Sequence, residues 1–126
     1  MVTFRSPRFG RLADEDQINE GIWGAALARF LAAALAERGI ATGEPGCEDW
    51  GWHLPVQHRP FEVLIGCGHL YGDDDELQVF VEPRADRVFW WFRFHDTRPI
   101  RQRVTDAIDE ALRAAPDVRE IEWAEA

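Results

Sequence analysis

The sequence predicts a two-layer α+β sandwich in the order helix, four-stranded antiparallel meander, helix and short final strand. Two observations predict this class. Apolar residues recur at helical spacing in residues 20–38 and 99–114, and between these segments they alternate with a period of two. The length of 126 residues suits one core, which six Trp and eight Phe can fill, so residues 1–126 are expected to form a single domain.

The first helix is expected over residues 20–38. Ile22 and Ala26 lie on one helical face, and other apolar residues widen that stripe. Asn19 is the expected N-cap, because its side-chain oxygen can accept a hydrogen bond from an N–H group of the first turn. Gly39 is expected to end the helix, since glycine adopts the left-handed backbone conformation without a Cβ clash.

Four alternating segments predict the meander. They cover residues 50–56, 61–67, 77–82 and 88–94, and short or polar links join them. Pro55 cannot donate a ladder hydrogen bond, so the first strand is expected to be an edge strand or to bend there.

The second helix is expected over residues 99–114. Asp96 or Thr97 would cap it, and Pro116 would stop it. The apolar residues of segment 118–123 then suggest a short final strand.

Charge distribution limits the classes of partner. The chain has 14 basic residues, all arginine, against 23 acidic residues, and its formal net charge is −9. Residues 14–76 carry thirteen of the acids and only three arginines. This sign disfavours nucleic-acid binding, which depends on neutralising phosphates, and favours a basic protein partner.

The expected setting is the bacterial cytoplasm. No apolar stretch approaches the roughly 20 residues that span a bilayer, and no membrane association is expected. Two cysteines cannot form a disulfide framework, which favours a reducing compartment.

One face of the predicted sheet carries more aromatic residues than a solvated face needs. Phe80, Phe89 and Trp91 would form a contiguous patch there, with Trp91 and Arg93 as anchors for a protein partner or a second copy of the chain. The alternative is that a helix or the C-terminal tail covers this face. The other face of the sheet is expected to form the core under the two helices, and it includes Leu54, Val63, Ile65, Val79, Val81, Trp90, Phe92 and Phe94.

The segment from Glu48 to His53 is the second candidate binding site. Glu48 and Asp49 stand beside Trp50 and Trp52, and carboxylates next to indoles can bind a cation, a basic side chain or a polar ligand. The alternative is that the acids cap a turn or pair with arginines while the indoles pack in the core.

A metal site is not expected. Cys47, His53, Cys67 and His69 lack the paired spacing of zinc motifs. The acidic run that includes Asp73, Asp74 and Asp75 lacks the alternating ligands of an EF-hand. That run is interpreted as a solvated hairpin tip, with docking on a basic partner as the functional alternative.

One sequence string carries a resemblance. The run from Ile18 through Ala28, then Arg38-Gly39 and Glu48-Asp49-Trp50-Gly51-Trp52, resembles a group of small bacterial proteins with a Glu-Asp-Trp-Gly-Trp motif. The resemblance implies a compact bacterial α+β domain and carries no activity with it.

These observations favour a small, acidic, non-enzymatic binding protein with no cofactor, which engages a protein partner through an acidic, aromatic-rich surface. A small-ligand-binding or hydrolytic domain, with a pocket near Glu48 to His53, is the alternative. A structural homodimer subunit is the third hypothesis.

Overall fold

The computed structural model describes residues 1–13, 15, 23–69 and 75–124. Within them the chain is an α+β protein with two helices and a six-stranded sheet, which confirms the α+β class but not the predicted order of elements. The elements are β1 (Val2–Arg5), α1 (Ala25–Glu37), β2 (Gly46–Glu48), β3 (Gly51–Val56), β4 (Val63–His69), β5 (Glu76–Glu82), β6 (Arg87–Trp90), β7 (Arg93–Asp96), α2 (Arg98–Ala114) and β8 (Arg119–Trp123).

The strand order of the main sheet is β2-β3-β4-β5-β1-β8, and every pairing is antiparallel. The sheet therefore differs from the predicted arrangement, because β1 lies between β5 and the final strand. Val2 and Phe4 alternate with half-buried residues in β1 and are almost fully buried. Four residues give too short a pattern to indicate a strand from sequence, although this one occupies an interior position.

The core lies between one face of this sheet and the two helices. Leu27, Leu31 and Leu35 of α1 are completely buried in the same cluster as Ile108 and Leu112 of α2. The strands contribute the alternating positions predicted for the core, including Leu54, Val63, Ile65, Val79 and Val81. The opposite face of the sheet carries half-buried residues such as His53, Leu64 and Phe80.

The ends of α1 are fixed by one acidic residue and one glycine. The buried carboxylate of Glu15 accepts hydrogen bonds from the N–H groups of Gly24 and Ala25, at 2.8 and 3.1 Å. The predicted cap, Asn19, lies outside the described residues. Gly39 has a φ of 79°, so the predicted left-handed stop is confirmed.

Pro55 lies where a ladder donor is not needed. Strand β2 pairs only with the first half of β3, so it ends before Pro55. Beyond that point the carbonyl of Pro55 accepts a hydrogen bond from the N–H of Gly43 at 2.8 Å. The proline therefore interrupts no regular ladder.

The prediction of a fourth meander strand over residues 88–94 is wrong. Residues 88–94 do not cross the main sheet; β6 and β7 pair with each other as a separate two-stranded hairpin. Trp90, Phe92 and Phe94, which were expected in the core, are 51%, 84% and 61% exposed. The segment whose alternation suggested one strand forms two short strands, and the chain reverses direction at Trp91 and Phe92.

The second helix and the final strand match the sequence prediction closely. Helix α2 begins one residue before Pro99 and ends at Ala114, and β8 covers most of segment 118–123. Of the two predicted caps, Asp96 accepts the N–H of Arg98 at 3.0 Å. Thr97 is completely buried, and its hydroxyl donates to the carbonyl of Ala85.

Candidate functional site

The β6–β7 hairpin is the candidate site, and its register is regular. Arg87 pairs with Asp96, Val88 with His95, Phe89 with Phe94 and Trp90 with Arg93, which leaves Trp91 and Phe92 as a two-residue turn. Such short turns match the right-handed twist of paired strands when both central residues have positive φ.

The turn residues are unusual for this geometry. Trp91 and Phe92 have φ values of 50° and 64°, whereas turns of this type are normally formed by Asn-Gly or similar pairs. A bulky residue in the left-handed region costs on the order of 1–3 kcal/mol, and such strain clusters at functional sites. The turn therefore holds two large aromatic rings where a glycine would be more stable.

Five aromatic side chains of the hairpin are exposed. The exposed fractions are 63% for Phe89, 51% for Trp90, 77% for Trp91, 84% for Phe92 and 61% for Phe94. Single exposed apolar residues are ordinary on protein surfaces, but five exposed rings within the six residues 89–94 are typical of an interaction site.

The rings hold defined positions relative to one another. Phe89 and Phe94 meet edge to face with centroids 5.4 Å apart, and Trp91 and Phe92 meet in the same way at 5.6 Å. The guanidinium carbon of Arg87 lies 4.9 Å from the Phe94 centroid, within the range of a cation–π contact. These contacts fix the relative positions of the rings in the structure.

The base of the hairpin is tied to α2. The Thr97 N–H donates to the carbonyl of Asp86 at 2.9 Å. Arg101 donates to the carbonyls of Arg84 and Ala85, both at 3.0 Å, and to the carboxylate of Asp86 at 2.7 Å. These bonds orient the hairpin on the body of the domain while its tip stays exposed.

Two arginines of the hairpin form no ion pair with any described residue. In the part of the chain that the structure describes, no carboxylate lies within ion-pair distance of Arg87 or Arg93. Asp96 faces Arg87 in the register, but it binds Arg98 through Nε at 2.9 Å and Nη2 at 3.1 Å. These hydrogen bonds from Arg98 lower the pKa of Asp96. Within the described part of the chain, the hairpin therefore presents two uncompensated positive charges beside its rings.

The predicted patch of Phe80, Phe89 and Trp91 is divided between two sheets. Phe80 lies on β5 of the main sheet, and Phe89 and Trp91 belong to the hairpin. The Phe80 ring lies on Gly66, where an added Cβ would come within 2.1 Å of it. The Trp50 ring adjoins it, with centroids 5.1 Å apart. Glycine at position 66 is therefore explained by ring packing.

The residues from Glu48 to His53 do not form one cluster. Glu48 and His53 pair through Oε1 and Nδ1 at 2.8 Å, and Asp49 and Trp50 occupy the turn between β2 and β3. Trp52 packs instead against the core. A carboxylate–imidazole pair can orient a general base, but base catalysis also needs a positioned substrate or nucleophile.

The described members of the candidate metal and acidic-loop residues do not form a metal-binding cluster. Among the described residues, no group of three or more His, Cys, Asp or Glu side chains could hold a metal ion. Cys67 is completely buried, and burial raises the pKa of its thiol. Asp73 and Asp74 lie outside the described residues, and Asp75 forms ion pairs with Arg5 at 2.7 Å and Arg119 at 3.3 Å.

A cleft of about 920 Å³ lies beside α2, lined also by residues of β5 and by Trp123 of β8. Four arginines line it, and each is already ion-paired with a nearby carboxylate. Its lining includes neither Trp52 nor Trp91 nor His53. This concave space therefore does not join the predicted indoles to polar groups.

Comparison with known proteins leaves the hairpin as the main functional evidence. No family model, no curated protein and no solved structure matches the chain. No helix among the described residues is long and apolar enough to cross a membrane. Sequence reasoning selected Phe89, Trp91 and Arg93 but missed the tip residue Phe92. Nothing in the string Phe89-Trp90-Trp91-Phe92 signals a turn, because it contains no Gly, Asn, Asp or Pro.

Proposed function

We propose that this chain is a non-enzymatic binding protein that engages a protein partner through the β6–β7 hairpin. The observation that carries the proposal is the turn itself. Trp91 and Phe92 adopt positive φ at the tip and are 77% and 84% exposed. Neither backbone stability nor core packing accounts for large rings there, whereas insertion into a partner does.

The size of the aromatic patch is adequate for this role. Each Phe or Trp ring buries about 150–250 Å² when it is fully covered, so five rings can supply several hundred Å². A stable interface needs roughly 800 Å² from each partner. The hairpin could therefore form the centre of an interface whose rim is supplied by neighbouring residues.

The residue types at the hairpin tip are also typical of binding sites. Trp and Arg are enriched among the residues that dominate binding energy, and they act best when packed at the centre of an interface. Trp90, Trp91 and Arg93 occur together at the hairpin tip. A hairpin whose strands are already paired loses less backbone conformational entropy on binding than a flexible loop would.

The experiment is photo-crosslinking in the organism that encodes the chain. A benzophenone amino acid is placed at position 91 in one variant and at position 29, an exposed site on α1, in a matched control. The proposal predicts a discrete covalent adduct with one protein from position 91 and none from position 29. Absence of an adduct at position 91, or the same adducts from both positions, would overturn it.

A further inference from the structure

We infer that the partner surface is an apolar pocket bordered by carboxylates. This inference rests on the proposed function and specifies the chemistry of its partner. It replaces the basic partner that the net charge alone favoured, because the hairpin that carries the exposed rings also carries Arg87 and Arg93.

The local charge at the hairpin is opposite in sign to that of the chain. Residues 84–101 contain five arginines and two aspartates, although the chain as a whole has a net charge of −9. Three of these arginines are neutralised, because Arg84, Arg98 and Arg101 pair with Glu82, Asp96 and Asp86. The two that remain uncompensated among the described residues, Arg87 and Arg93, are those of the hairpin strands themselves.

The absence of compensation at Arg87 has a structural cause. Its cross-strand neighbour Asp96 is positioned to pair with it, but that carboxylate is held by Arg98 and by the N–H of the same residue. Arg87 lies instead over the ring of Phe94. A partner that buries Phe94 would cover this guanidinium too, and burial of an unpaired charge is unfavourable unless the partner supplies an acceptor. A carboxylate at the rim of the partner pocket meets this requirement.

The charge pattern disfavours two other binding partners for the hairpin. A second copy of the chain docking hairpin to hairpin would bring like charges together about the symmetry axis, because such an interface uses the same patch twice. An anionic bilayer would attract Arg87 and Arg93, but the net charge of −9 opposes approach of the whole chain to it. A protein surface with an apolar pocket and carboxylates at its rim can bury the rings and pair with both arginines.

The test selects binders from a random peptide library displayed on phage, with the full chain as bait. Three variants accompany the wild type. W91N/F92G removes the tip rings and keeps a favourable turn, R87Q/R93Q removes the two charges, and R11Q/R29Q makes the same change in net charge at exposed arginines elsewhere. The inference predicts enrichment of peptides that combine aromatic or aliphatic residues with Asp or Glu.

Binding of these peptides should disappear in W91N/F92G. It should weaken about tenfold in R87Q/R93Q and change less than about twofold in R11Q/R29Q. Its dependence on salt should also diminish in R87Q/R93Q. Peptides that need the tip rings but lack acids, and that bind R87Q/R93Q normally, would overturn the inference and leave the proposed function intact.

Failure of the proposed function has a different signature. If no enriched peptide depends on Trp91 and Phe92, both the docking role and the inference are overturned. Vesicles of phosphatidylglycerol and of phosphatidylcholine form a parallel arm. Binding to phosphatidylglycerol that is lost in W91N/F92G, without any hairpin-dependent peptide, would assign the hairpin to a membrane surface and overturn both.

Discussion

Phe89 and Phe94 face each other across the β6–β7 hairpin with ring centroids 5.4 Å apart, yet they are 63% and 61% exposed. Cross-strand aromatic pairs stabilise a hairpin by about 0.2–1 kcal/mol, so the pair helps to order its own strands. Each ring also leaves most of its surface open to solvent. The same contact therefore supports the pairing of the strands while it leaves both rings exposed.

The first prediction concerns the turn. Replacing Trp91 and Phe92 by Asn and Gly should increase the free energy of unfolding by about 1–2 kcal/mol, because Asn-Gly adopts this turn without strain. Urea unfolding followed by circular dichroism measures the change. A loss of stability would show that the two rings pack on the protein, and it would remove the argument from strain.

The hairpin shows where sequence patterns stop being informative. The period-two pattern from Val88 to Phe94 fits one long strand as well as two short ones. Side-chain directions alternate within each arm of the hairpin, just as they would along a single strand. Only a turn residue would distinguish these cases, and Trp91 and Phe92 are not turn residues. The aromatic turn itself thus concealed the hairpin.

Elsewhere in the fold, the long elements could be predicted from the sequence and the short ones could not. Helix α2 has 17 residues, a narrow apolar stripe and a proline near its start, and its bounds agree with the prediction to within one residue. Strands β1 and β2 have four and three residues, too few to show a period. The role of Glu15 as a cap was also hidden, because its carboxylate reaches N–H groups that lie nine and ten residues along the chain.

The second prediction concerns the hairpin base. Thr97→Val should lower the free energy of unfolding by about 1–3 kcal/mol, since it removes a buried hydroxyl that donates to the carbonyl of Ala85 and accepts from Arg101 at 3.0 Å. Thr97→Ser keeps the hydroxyl and serves as the control, with a smaller loss. A loss in Thr97→Val no larger than the loss in Thr97→Ser would show that the hydrogen bonds do not dominate the stabilisation at this position.

The third prediction is a pH dependence at Asp109. Partial burial acts to raise the pKa of this carboxyl, but hydrogen bonds from the Trp123 indole at 2.8 Å and from Arg113 outweigh it, so the pKa lies below its ordinary value of 3.8. A lowered folded-state pKa gives stability that is present above pH 3.8 and is lost as the pH falls through the folded-state value.

Asp109→Asn should therefore reduce the free energy of unfolding at pH 7 by about 0.5–1 kcal/mol, a small effect because the side chain is partly exposed. The difference from wild type should shrink as the pH is lowered below about 4. Thermal unfolding between pH 7 and pH 2 measures both quantities. A difference that stays constant over this range would exclude the proposed charge effect.

The fourth prediction separates the two thiols. Cys67 is completely buried and its pKa is raised, whereas Cys47 is half-buried on edge strand β2. In the native protein at pH 8, a disulfide reagent should modify Cys47 first, and Cys67 should react only as the chain unfolds. In Cys47→Ser, no rapid reaction should remain. Rapid native modification of Cys67 would contradict the burial on which the core assignment depends.

The most direct test of the docking role is the affinity of Trp91→Ala for the protein captured at position 91. Isothermal titration calorimetry should show binding weakened at least about 30-fold relative to wild type, the loss expected when a residue contributes about 2 kcal/mol. Trp50→Ala, which removes a 38% exposed indole from the main-sheet surface, should bind within about twofold of wild type. If Trp91→Ala keeps its unfolding midpoint and also binds as tightly as wild type, the hairpin is not the docking site.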